Sequence, residues 1–166
     1  MTAISVANTD WTLVDSVKTA LTAATIGGSA VFETVSVTTA DAQAVQCQFR
    51  GSPVAILRYV TTREDAGPED VRGCRAEMEL ILAARANPAT PDESSRLEEV
   101  LRLKNAAVNA VEVAAPAVAA AWGDGDHYHR RIRWGNPQID TSVDRPWVVC
   151  RLPVEIGFVL AGPSAH

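Results

Sequence analysis

Two short stretches hold residue types that could do chemistry. The first is Gly123-Asp124-Gly125-Asp126-His127-Tyr128-His129, with two carboxylates and two imidazoles close together. Carboxylate and imidazole are metal ligands, but the spacing is not that of a calcium loop, which needs about twelve residues ending in a bidentate glutamate. Nor is there the helical H-E-x-x-H pair of zinc peptidases. An ordinary polar loop is the expectation, with no metal. The second stretch is His129, Arg131 and Arg133, a basic row at strand spacing beside Tyr128 and Trp134. Arginine interleaved with aromatics is one way to hold single-stranded nucleic acid. This row is short and the chain is acidic, so contact with protein or a plain exposed strand explains it better.

The three cysteines, Cys47, Cys74 and Cys150, are far apart and form no C-x-x-C. They give neither a disulfide framework nor a zinc site, and they fit a reducing compartment. Cys150 falls in the apolar row of a strand, the place of a small buried hydrophobe. No phosphate-loop or G-x-S-x-G pattern occurs. No catalytic residue, metal or cofactor is therefore expected, and no enzyme.

The elements that carry these residues follow from periodicity. Asp10 to Ala24 reads as a helix with Trp11, Val14, Val17 and Leu21 on its apolar side, stopped by Gly27-Gly28. Val31 to Thr38 alternates as a strand. Residues 39–52 have no period and read as a connector, with a short strand at Val45 to Phe49. Pro53 to Thr62 reads as a strand covered on both faces. RAEMELILAAR, residues 75–85, is ambiguous: composition favours helix, whereas alternation favours strand, and strand is the expectation.

Thr90 to Ala115 is the long helix, opened by the capping box Thr90-Pro91-Asp92-Glu93 or by Ser95-x-x-Glu98 one turn later. From Ser95, its length is roughly 31 Å at about 1.5 Å per residue. Leu97, Leu101, Val108, Val111, Ala115, Val118 and Trp122 trace an apolar stripe that Lys104 interrupts; Glu98, Arg102, Asn105, Asn109 and Glu112 trace a polar one, with Glu98 and Arg102 spaced to pair. Pro116 either kinks this helix or opens a second one reaching Trp122. Residues 127–134 alternate as a strand. Trp147 to Leu160 alternates throughout, with Pro153 marking an edge or a bulge. Helix, strands, long helix, strands gives an α+β fold: a single mainly antiparallel sheet with the long helix and the N-terminal helix packed on one face.

The chain of 166 residues has a net charge of −5, against any role that needs a basic surface all over. Charge is nevertheless uneven. Residues 62–100 hold ten acids and five bases, and residues 127–151 hold five arginines and two aspartates. Two oppositely charged faces could meet different proteins, or the same neighbour head to tail. The N-terminal MTAISVANTDW lacks the features of a secretion signal. No apolar run reaches the about 20 residues that span a membrane.

The series DWTLVDSVKTALTAA, VFETVSV, PVAILRYV, the acidic TTREDAGPED, RAEMELILAA, RLEEVLRLKNAAVNAV, RRIRWGNPQI and WVVCRLPVEIGFVL resembles the tail terminator (tail completion, or minor tail) proteins of tailed bacteriophages. The likeness covers residues 10–160 of a single 1–166 domain and lies in order and texture. Residues 39–52 and 116–122 depart from the usual plan. The resemblance implies a structural virion protein that forms a homo-hexameric ring. The ring caps the head-proximal end of the tail tube, stops tube polymerisation and joins the head–tail connector or neck protein. Its implied partners are tail tube protein, sheath protein if the tail is contractile, and DNA only as it passes through the lumen. There is no membrane partner. It would be assembled in the host cytoplasm and reside in the virion tail. Another phage neck or baseplate component of similar fold is the alternative, followed by a bacterial binding module and an enzyme. The candidate subunit or partner contacts are Glu64, Asp65, Glu69 and Asp70 on the acidic side and His129, Arg131 and Arg133 on the basic side. Either these arginines meet the acidic segment of a neighbour, or they face the lumen.

Overall fold

The computed structural model describes residues 9–65, 72–89, 92–121 and 132–160. Helix α1 (Thr9–Thr22) leads through a small hairpin, β1 (Thr25–Ile26) and β2 (Ser29–Ala30), to strand β3 (Thr34–Thr38). A short helix α2 (Ala42–Val45) and a 3-10 turn (Gln46–Gln48) precede the long strands β4 (Val54–Asp65) and β5 (Arg72–Arg85). Helix α3 (Glu93–Ala121), β6 (Ile132–Trp134), β7 (Gln138–Asp140) and β8 (Trp147–Leu160) complete the order. Among the described residues the main sheet runs β3-β4-β5-β8-β6, with β7 also on β8; β3 pairs parallel with β4 and the other pairs are antiparallel. The fold is α+β, as expected.

RAEMELILAAR is a strand despite its helix-forming composition. Its alternation decides, because Cys74, Ala76, Met78, Leu80, Leu82 and Ala84 all enter one buried cluster. Val148, Cys150, Leu152, Val154, Ile156 and Phe158 of β8 join them, as do Ala55 and Leu57 of β4. The same cluster contains Leu13, Val14, Val17 and Leu21 of α1 and Val100, Leu103, Ala107 and Val111 of α3. A smaller cluster of Val45, Ile56 and Ile81 lies on the opposite parity of the strands, with Phe49 and Val149 against it. The connector 39–52 supplies that cover, as helix and 3-10 turn rather than the short strand expected at Val45 to Phe49.

Helix α3 is rotated from its expected stripe, whereas on α1 Val14, Val17 and Leu21 are buried as expected and only Trp11 of that row is not. On α3 the buried row is Arg96, Val100, Leu103, Ala107 and Val111, while Leu97 is exposed. At 100° per residue the centre of this row lies about a quarter turn from that of the expected stripe of Leu97, Leu101, Val108 and Val111, of which only Val111 is buried. On α1 Trp11 is 57% exposed, about a third of a turn from the centre of the row of Leu13, Val14, Val17, Ala20 and Leu21. The polar stripe Glu98, Arg102, Asn105, Asn109 and Glu112 is exposed as expected, but Arg102 pairs with Glu99, not with Glu98. Thr90 and Pro91 of the first capping box lie outside the described residues, and Ser95 of the second lies inside α3. Asp92 caps it, accepting from the Ser95 amide at 3.0 Å and the Ser95 hydroxyl at 2.8 Å. Those bonds, the amide first, lower the Asp92 pKa below its ordinary 3.8. Pro116 lies within α3, which continues to Ala121.

Pro153 marks neither a sheet edge nor a bulge in β8, which is paired on both sides. The amide and carbonyl of one antiparallel residue point to the same neighbour. The Pro153 carbonyl accepts from Gly135 at 2.8 Å, so its missing N–H falls where the outer strand breaks between β6 and β7. A side chain at Gly135 would put its Cβ 2.9 Å from Pro153 Cβ. We expect Gly135→Ala to cost about 1–2 kcal/mol through that overlap, read as a lowered urea midpoint. An unchanged midpoint would mean that the β6–β7 break relaxes freely.

Candidate interaction surface

The parity that buries one face of the sheet leaves charge on the other. Arg75, Glu77 and Glu79 of β5 alternate with the core residues, as do Arg151 and Glu155 of β8. On β4, Arg58 has this parity. A register shift between Tyr59 and Thr61 then moves it to Thr61 and Arg63, leaving Val60 46% exposed. The face is stitched by ion pairs. Glu79 lies between two arginines, with Arg151 Nη2 at 2.8 Å and Arg58 Nε at 3.3 Å. Arg63 meets Glu77 at 3.0 Å and Arg75 meets Glu155 at 3.4 Å. Alternation in the sequence already sets Glu77 and Glu79 opposite the apolar row of β5, but not their arginine partners, although Arg75, Arg151 and Glu155 likewise each fall between two buried apolar residues.

Toward the other end of the face, an open groove of about 510 Å³ is lined by Phe49, Ile139, Arg145, Trp147, Val149 and Arg151, among others. The Phe49 and Trp147 rings lie 5.0 Å apart, and the Arg85 guanidinium sits 5.5 Å from the Trp147 centroid. Behind the sheet, Arg96 is 8% exposed and donates to three carbonyls of the turn before β8. Its Nη1 reaches Ser142 O at 2.8 Å and Arg145 O at 2.9 Å, and its Nη2 reaches Val143 O at 3.2 Å.

The described candidate contacts are not brought together. Glu64 is exposed near the end of β4, and Asp65, the last residue of that strand, is in register with Gly73. Arg133 is exposed on β6, in register with Glu155. Strands β5 and β8 separate β4 from β6, roughly 14 Å at the usual strand spacing. Glu69, Asp70, His129 and Arg131 lie outside the described residues, as do Asp124, Asp126 and His127.

Of the cysteines, Cys74 and Cys150 are buried. Burial pushes the Cys150 thiol up to about 11, with Lys104 pulling weakly the other way, which disfavours the reactive thiolate. Among the described residues no group of three or more His, Cys, Asp or Glu is placed to hold a metal ion. No helix there is long and apolar enough to cross a membrane. The chain matches no family model, and no curated protein matches it.

Proposed function

We propose that the chain is a structural subunit of the phage tail terminator kind, without catalytic activity. Six copies form a ring on the last ring of the tail tube. The ring ends tube polymerisation and offers its far side to the head–tail connector or neck protein. In a contractile tail the sheath would meet it as well, and DNA would pass through its lumen. Assembly would take place in the host cytoplasm and the product would reside in the virion tail.

One observation carries this reading beyond the resemblance. Glu64 and Asp65 stand at the end of β4, and Arg133 stands on the far strand of the same sheet, with two strands between. Opposite charges on opposite lateral sides cannot meet within one copy, but they can meet between copies related by rotation. A closed head-to-tail ring is built from such heterologous contacts. The order of elements, with a long helix between two groups of strands, also agrees with the resemblance.

The test is tube growth. The tube protein encoded alongside this chain is polymerised with and without it, and the tubes are measured by electron microscopy. Shortened tubes bearing one extra ring at one end are the expected result. Tubes of unchanged length and unaltered ends would contradict the proposal.

A further inference from the structure

We infer that the groove between the 3-10 turn and β7 binds an acidic peptide segment of another protein, extended along the start of β8. Such a site serves a single copy as well as a ring. The chain between β3 and β4 covers the second face of the sheet over Ile56 and Ile81, with Phe49 and Val149 at the margin of that cover. Beyond the margin β8 presents Trp147, Val149 and Arg151, whose parity is opposite to that of the core residues Val148, Cys150 and Leu152. On the far side stands β7, whose Gln138 and Asp140 are in register with Arg151 and Val149 and share their face. Phe49, Trp147 and Val149 are only half-buried. The trough they leave, about 510 Å³, is of the size of ligand sites, roughly 300–1,000 Å³.

Charge selects an anion. Among the described residues that line the trough, Arg145 and Arg151 face a single acid, Asp140, on a chain of net −5. Arg85, in register with Trp147, adds a guanidinium beside the ring with no carboxylate partner among the described residues. Arg151 is committed to Glu79 at 2.8 Å. Arg145 is not committed. Its side chain is 58% exposed and reaches Asp140 only at 3.5 Å, a weak pair. Asp140 has other donors, since its Oδ1 accepts from the Ser142 amide at 3.0 Å and from the Ser142 hydroxyl at 2.6 Å. Arg145 is therefore the group that an incoming carboxylate engages, because a close arginine–carboxylate pair outweighs so long a contact.

The rest of the lining favours a peptide over nucleic acid. Successive bases need open ring faces to stack on. Here the Arg85 guanidinium lies over Trp147, and Phe49 leans on the same ring at 50°. Gln46 on one wall and Gln138 on the other are exposed and have no hydrogen-bond partner among the described residues. Their amides both donate and accept, as a peptide main chain does, whereas a phosphodiester only accepts. Trp147, Val149 and Arg151 follow one another at about 7 Å, the interval at which an extended ligand presents alternate side chains. An apolar side chain over Val149 and a carboxylate at Arg145 satisfy the trough together. The exposed acids at the start of α3, Asp92, Glu93 and Glu98, are set on or beside a helix and do not supply such an extended segment.

The experiment is fluorescence anisotropy on the full chain with a series of labelled peptides in which aspartates alternate with leucines, their asparagine counterparts, and a labelled oligothymidine. Wild type should bind the acidic peptides, and the asparagine counterparts about tenfold or more weakly. Arg145→Gln should weaken the acidic peptides by about tenfold and Arg145→Glu by more, while Arg102→Gln on the exposed side of α3 should change nothing. Circular dichroism confirms the fold of each variant. No saturable binding of any acidic peptide, equal binding of acid and amide peptides, or indifference to Arg145→Gln overturns the proposal. Tighter binding of oligothymidine, lost in Arg145→Gln, overturns it in favour of nucleic acid. Self-association of the chain that Arg145→Gln abolishes in sedimentation velocity overturns it in favour of a second copy.

Discussion

Arg96→Met is expected to destabilise the protein by about 3 kcal/mol, seen as a lower urea midpoint with an unchanged slope. Methionine keeps the apolar stem in the row of Val100 and Leu103, so the change isolates the guanidinium. That group is the shared donor to the carbonyls of Ser142, Val143 and Arg145. Hydrogen bonds from a charged donor contribute about 1.5–3 kcal/mol each, but this turn is exposed and water would replace part of the loss. The buried Nε has no acceptor, which offsets the gain further. Amide exchange from Ser142 to Val148 should speed up in the variant more than exchange in β5, because the turn loses its tether to α3. Arg96→Lys should fall between, since an ammonium cannot span three carbonyls in fork geometry. A loss below about 0.5 kcal/mol for Arg96→Met would mean that water serves those carbonyls as well as arginine does.

Glu79→Ala should cost about 2 kcal/mol by the same measurement. One carboxylate there serves Arg58 and Arg151 together, and its side chain is 13% exposed. Removing it leaves two guanidiniums facing each other across β5. Fully buried pairs lose about 3–5 kcal/mol when one partner goes, and exposed pairs about 0–1, so this half-covered triad belongs between. Because like charges remain, added salt should recover part of the loss. Glu79→Ala combined with Arg58→Ala should then be less destabilised than the two single effects added together. Additive effects would show that Glu79 acts on each arginine separately.

Much of the sheet was legible because its signal is local. In β8 seven alternating apolar residues leave one reading, and in β5 the same alternation outweighs the helix propensity of Ala, Glu, Met and Leu. The orientation of α1 was legible from Val14, Val17 and Leu21, but that of α3 was not. On α3 two apolar rows compete, and the buried one contains Ala107 and an arginine, which a search for large apolar residues passes over. Residues 39–52 gave no period because they fold as one helical turn and a 3-10 turn held by single side chains such as Val45. The role of Pro153 depends on a break in a neighbouring strand, information that lies some eighteen residues away at Gly135. Of the candidate contacts, the charge imbalance was visible in composition, whereas the lateral separation of Asp65 from Arg133 required the strand order.

The ring is the central claim, and mass in solution tests it most directly. Multi-angle light scattering over a range of concentrations should give six times the 17.7 kDa chain, either alone or once tube protein is added. A constant 17.7 kDa that tube protein does not change would contradict it.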